Sequence, residues 1–142
     1  MLTYRRGHEI GIPWPAIAIA LVALVAVAGC GSRGLHRVQG QVTFPDGSPV
    51  KAGRVVIEYG NGRMAVGRIR PDGSFNVGTL TESDGMQAGT FRVAIKDTFV
   101  PKSDTSSEFV TLVHSRFANP ATSGLEFTVP DQLAWKIVVE KP

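Results

Sequence analysis

One thiol, three histidines, three aspartate–glycine pairs and one serine beside a histidine are the groups in this sequence on which chemistry would have to be built. Cys30 is the only cysteine, so neither an intrachain disulfide nor a cysteine-based zinc cluster can form within the chain. His8, His36 and His114 are far apart and have no ligand partner at metal-site spacing, so no metal site is expected. His36 reads as opening a strand and His114 as closing one, each solvated or hydrogen-bonded. Asp46, Asp72 and Asp84 each precede glycine, a pairing that makes turns. Calcium needs clustered oxygen ligands, and no Asp-x-Asp-x-Asp-Gly loop occurs. A site made where two of these loops meet at one end of a sandwich stays open as an alternative. No Gly-x-Ser-x-Gly elbow is present, and Ser115 beside His114 on a strand would point to the opposite face. Gly60-Asn61-Gly62 lacks the Lys-Ser/Thr and the helix of a phosphate-binding loop. Paired acids for glycoside hydrolysis cannot be read from sequence, but a domain this small leaves little room for a substrate cleft. The expectation is a chain with no cofactor and no enzyme active site.

Cys30 gains its meaning from what precedes it. Arg5 and Arg6 make a positive start, Ala16–Ala28 is an unbroken apolar run of 13 residues, and the small pair Ala28-Gly29 leads directly into the cysteine. That order is the order of an export signal, and the run falls short of the ~20 residues that span a bilayer as a helix. Val27-Ala28-Gly29-Cys30 resembles the lipobox of bacterial lipoproteins. The resemblance implies cleavage between Gly29 and Cys30, a diacylglycerol on the Cys30 thiol, and a mature protein anchored to a membrane of the cell envelope. Two or three acyl chains anchor durably where one does not, since each buried methylene adds about 0.8 kcal/mol. The alternative is an uncleaved anchor over 10–29, reached only by counting through Pro13 and Pro15. The Gly7-His8-Glu9 sequence after Arg5-Arg6 lacks the apolar pair of a twin-arginine signal.

Removing residues 1–29 leaves 13 basic against 11 acidic side chains, spread singly along the chain. A nucleic-acid partner would want them concentrated on one face or in one run, so none is expected. The chain then divides into a signal segment (1–29), a lipidated tether (30–35) and one domain (36–142). In that domain apolar residues recur with period two, as half-buried strands require. Val38, Val42 and Phe44 form one inward set. Val55, Ile57 and Tyr59 form a second, and Phe91, Val93 and Ile95 a third. Leu125, Phe127 and Val129 follow, and Leu133, Trp135, Ile137 and Val139 close the chain. Shorter strands are expected near 64–70, 75–78 and 109–113. Pro45-Asp46-Gly47, Asn61-Gly62, Pro71-Asp72-Gly73 and Pro130-Asp131 supply turns between them. The segment Lys102–Glu108 is polar and reads as a loop. Seven or eight short strands with closely spaced turns predict an all-β sandwich of two antiparallel sheets.

Val38-x-Gly40-x-Val42, then Asp46-Gly47-x-Pro49-Val50 and Gly53-x-Val55, are similar to the first hairpin of carboxypeptidase-regulatory-like, or transthyretin-like, domains. Asp72-Gly73-x-Phe75 and Gly89-x-Phe91-x-Val93 resemble their later signatures, and Phe117-x-Asn119-Pro120-x-Thr122-Ser123-Gly124-Leu125 resembles a late segment of small envelope lipoproteins. The resemblance spans about 36–139. It implies a seven-stranded antiparallel prealbumin-like β-sandwich after an N-terminal signal helix, usually non-catalytic.

Trp135 shares inward parity with Leu133 and Ile137, so it is read as core and not as a sugar-stacking platform. Residues 98–124 form the longest stretch without clean alternation, and Phe99, Phe109 and Phe117 surround it. Long loops on rigid sheets often carry contacts, so these three mark the candidate binding loop. The expected function is a membrane-anchored, non-catalytic module that contacts an envelope protein or glycan. The alternative is a structural spacer with no ligand of its own.

Overall fold

The computed structural model describes residues 34–142. The signal segment, the Gly29–Cys30 junction and residues 30–33 of the tether lie outside the described residues. Leu35–Pro142 is one compact unit.

Nine strands form. They are β1 (Gln39–Thr43), β2 (Arg54–Glu58), β3 (Met64–Arg68), β4 (Ser74–Gly78), β5 (Gly89–Lys96), β6 (Phe99–Pro101), β7 (Phe109–Thr111), β8 (Glu126–Val129) and β9 (Ala134–Val138). A 3₁₀ turn covers Ser115–Ala118. Alternation places the side chains as the sequence predicts. Val55 and Ile57 are buried while Arg54 and Glu58 are exposed, and Val93 and Ile95 lie buried on β5.

Two turns share the sequence Pro-Asp-Gly-Ser and the same construction. Asp46 Oδ1 accepts from the Ser48 amide and hydroxyl at 2.9 and 2.5 Å, and Asp72 Oδ1 accepts from those of Ser74 at 2.9 and 2.6 Å. Gly47 and Gly73 take φ of 84° and 82°, which only glycine adopts without strain.

Seven strands make one sheet in the order β8-β5-β2-β3-β4-β1-β9, and β6 and β7 make a separate two-stranded hairpin. The expectation of wholly antiparallel pairing is corrected here, because β9 runs parallel to β1 from Gln39↔Ala134 to Thr43↔Val138. The sheet is mixed and rolled nearly into a barrel. Chain connectivity gives the reason. β8 and β9 stand at opposite ends of the strand order, yet only residues 130–133 join them. The sheet must therefore curl until its ends approach. Phe127 of β8 stacks on Trp135 of β9 at 4.4 Å between ring centroids and 10° between planes, bringing the two ends together.

The pairings also sort the loops into two poles. β1, β3, β5 and β9 run one way and β2, β4 and β8 the other. Leu35, the β2–β3 turn, the β4–β5 loop and the β8–β9 turn share one pole. The Asp46 and Asp72 turns and the exit of β5 into the β6–β7 hairpin share the other.

The core fills the rolled sheet, with Trp135, Phe75, Phe117, Ile57, Met86 and Ile137 among its largest fully buried side chains. Leu133 departs from its expected inward place and is 40% exposed. It precedes β9 and belongs to the turn, where its carbonyl accepts from the Gln39 amide at 3.0 Å. The pleat that would aim its side chain inward has not yet begun.

Candidate functional site

The three phenylalanines picked out by sequence part company. Phe117 is 1% exposed, sits in the main core and is capped by the Arg116 guanidinium at 4.3 Å from its ring centroid. It therefore offers no binding surface, which corrects its place in the candidate loop. Its segment plugs the rolled sheet. The His114 amide reaches the Glu140 carbonyl at 2.8 Å, the Ser123 hydroxyl reaches the Val93 carbonyl at 2.6 Å, and Val93 N–H reaches Leu125 O at 2.9 Å. Period-two reading could not detect this, because a 3₁₀ turn and irregular backbone present their apolar residues with no fixed period.

Phe99 and Phe109 stay outside. They are 50% and 63% exposed although their rings meet edge to face at 5.7 Å. β6 and β7 pair Phe99↔Thr111, Val100↔Val110 and Pro101↔Phe109, which puts both rings on one face and exposed Val110 on the other. The expected polar loop Lys102–Glu108 is the hairpin's tip, closed by a Lys102 Nζ–Glu108 Oε2 ion pair at 2.9 Å and Lys102 N–H to Glu108 O at 2.9 Å. Neither outer edge of the hairpin is paired among the described residues. Exposed aromatic rings with free strand edges are the surface a partner protein or an added strand would use.

The other chemistry-bearing residues are engaged locally. His114 Nδ1 accepts from the Arg116 amide at 3.2 Å and caps the 3₁₀ turn. Ser115 lies in that turn and not on a strand, which corrects the expectation that strand pleating sends it to the opposite face. His36 exchanges backbone hydrogen bonds with Met86 at 2.7 and 2.9 Å and stands at the opposite pole. The two histidines are thus not brought together. Asn61 Oδ1 accepts from the Arg63 amide at 3.2 Å, a turn rather than a phosphate cradle. Trp135 is core, its Nε1 donating to the Gln132 carbonyl at 2.9 Å.

All three aspartates of the Asp-Gly pairs are held below the usual carboxylate range by donors. Ser48 does this for Asp46, with Lys141 adding to it, and Ser74 does it for Asp72. The amides of Thr79, Thr81 and Leu80 do it for Asp84. Asp46 and Asp72 share a pole that Asp84 does not. Among the described residues no group of three or more His, Cys, Asp or Glu could hold a metal ion.

A row of cations was invisible in sequence because register creates it. Arg54 lies directly between Arg68 and Lys96 across three strands. Like charges so placed repel. Asp97 accepts two hydrogen bonds from Arg54, and Glu58 pairs with Lys96 at 3.2 Å, offsetting that cost.

Comparison with protein-family models, with curated proteins and with solved structures finds no match to this chain.

Proposed function

We propose that this chain is an envelope lipoprotein, cut before Cys30 and anchored by lipid on that cysteine, whose β domain is a non-catalytic interaction module. The anchor rests on the arrangement of Arg5-Arg6, the apolar run 16–28 and the Val27-Ala28-Gly29-Cys30 segment. We also take the domain as a variant of the prealbumin-like sandwich of carboxypeptidase-regulatory-like domains. The order of its glycine and turn motifs and its seven-stranded main sheet support this, while the parallel β1–β9 pair is a departure. One observation favours an interaction module over a plain spacer. The β6–β7 hairpin leaves Phe99, Phe109 and Val110 in water. A spacer gains nothing from such exposure, and its free edges invite aggregation.

Two measurements test these points. Growing cells given a radioactive fatty acid should label the wild-type protein and not Cys30→Ser, and equal absence of label from both would end the lipoprotein proposal. Pull-down from solubilised membranes should recover an envelope protein or glycan with the wild-type chain. A Phe99→Ser/Phe109→Ser variant should lose it. A partner retained by that variant would move the contact elsewhere.

A further inference from the structure

The pole at which the chain enters the domain is not a neutral end. Leu80 is 74% exposed at the tip of the β4–β5 loop, Met64 is half-exposed at the start of β3, and Leu133 is 40% exposed in the β8–β9 turn. Register places all three at the pole of Leu35. Leu80 is held out by construction. The Asp84 carboxylate accepts from the amides of Thr79, Leu80 and Thr81 at 2.6, 3.0 and 3.1 Å, and the Thr79 hydroxyl donates to the Gly85 carbonyl at 2.8 Å. Ser83 takes φ of 70°, a left-handed conformation costly for a side-chain-bearing residue. A loop so tied holds Leu80 beside Met64 at the edge of the sheet, with most of its side chain in water.

We propose that this pole is the face the domain lays on the bilayer, with Leu80, Leu133 and Met64 entering the interface and the β6–β7 hairpin directed away from it. The inference rests on the reading that Cys30 carries lipid. Four residues separate Cys30 from Leu35. At ~3.3–3.6 Å per residue, five Cα steps reach at most roughly 18 Å. Leu35 is thus confined close to the lipid that holds Cys30, and with it the pole it belongs to. Confinement also removes the need for strong intrinsic affinity, because the anchor makes the second contact intramolecular and a small apolar face becomes occupied at high effective concentration. Charge does not drive the contact. Arg37 and Arg63 share this pole with Asp84 and Asp131, while Glu82 turns back toward Arg68 and Arg70, so acidic and basic groups nearly balance. The occupant is therefore the apolar interface of the membrane itself, reached by side-chain insertion and indifferent to salt.

The full chain, lipidated in a bacterial host, is reconstituted into vesicles of phosphatidylethanolamine and phosphatidylglycerol. An environment-sensitive fluorophore is attached through Arg63→Cys, in the β2–β3 turn, in one sample and Thr105→Cys, at the hairpin tip, in another. Brominated lipids should quench the label at position 63 by about half and leave that at 105 unchanged, as shallow insertion of one pole requires. Adding Leu80→Asp and Leu133→Asp should abolish quenching at 63 while circular dichroism stays that of the folded sheet. Vesicle-bound protein with an unquenched label at 63, or quenching that survives the double aspartate variant or disappears in high salt, overturns the docking face. Protein that does not float with vesicles, and whose Cys30 thiol takes up label, removes the anchor and the proposal with it.

Discussion

Gly40 lies at an inward position of β1 between Val38 and Val42, where a β-carbon would stand 2.7 Å from Phe75 Cζ and against the Trp135 carbonyl. Phe75 is backbone-fixed in β4 and meets Trp135 edge to face at 6.4 Å, so the ring has nowhere to retreat. Gly40→Val should destabilise the domain by about 1–3 kcal/mol, as overpacking does, read as a lowered urea midpoint. The phenylalanines give a contrast in the other direction. Phe117→Ala empties a core position and should cost about 3–5 kcal/mol. Phe109→Ala, on the hairpin surface, should stay within about 0.5 kcal/mol. Equal midpoints for the two variants would contradict the plug.

Asp46, Asp72 and Asp84 each contribute to the acid dependence of the fold. Their folded pKa values lie below the ordinary 3.8, so each stabilises the fold when ionised. That contribution is complete above the unfolded-state value and is lost as pH falls through the lower, folded-state one. The thermal midpoint should hold from pH 7 to about 5 and drop below pH 4. Asp72→Asn and Asp84→Asn should be less stable at neutral pH with a shallower acid slope, and a slope unchanged in both would contradict these assignments.

The β elements differ in what holds them. β2 is hydrogen-bonded on both sides, to β3 and β5, and its inward residues are fully buried. β6 and β7 have only each other, three residue pairs long. An isolated two-stranded hairpin is marginal in water, so native-state hydrogen exchange should release the amides of Val100 and Val110 first and those of β2 and β5 last. Protection of the hairpin at the level of β2 would mean that it is covered.

Much of this was legible in the sequence. Alternation assigned inward faces to β1, β2 and β5, because a pleat repeats every two residues whatever its neighbour. The paired Pro-Asp-Gly-Ser turns were legible because aspartate and glycine solve a local problem. Partner choice was not legible. The direction of β9 against β1 depends on the sheet rolling up, which no local pattern encodes. Val56 and Ala94 are buried on the outer face, against the period. They oppose one another across β2 and β5, and the Glu58–Lys96 ion pair crosses that pair diagonally. Long charged side chains cover apolar surface in this way once register brings them close. The candidate binding loop was half legible. Its aromatic residues stood out, but only tertiary packing separates buried Phe117 from exposed Phe99 and Phe109.

At the scale of the whole molecule, the two poles give the account its direction. Leu35 and the exposed Leu80 stand at one pole, and the aromatic hairpin leaves from the other. A disulfide-free domain of this size stands on its core alone, and the membrane attachment we propose comes from lipid on Cys30. The proposed orientation depends on that attachment. Intact mass of the protein purified from membranes tests it most directly. The account predicts a chain that begins at Cys30 and carries the added mass of a diacylglycerol, with or without a further acyl group. A chain that begins at Met1 with an unmodified thiol and partitions into the aqueous phase would contradict it.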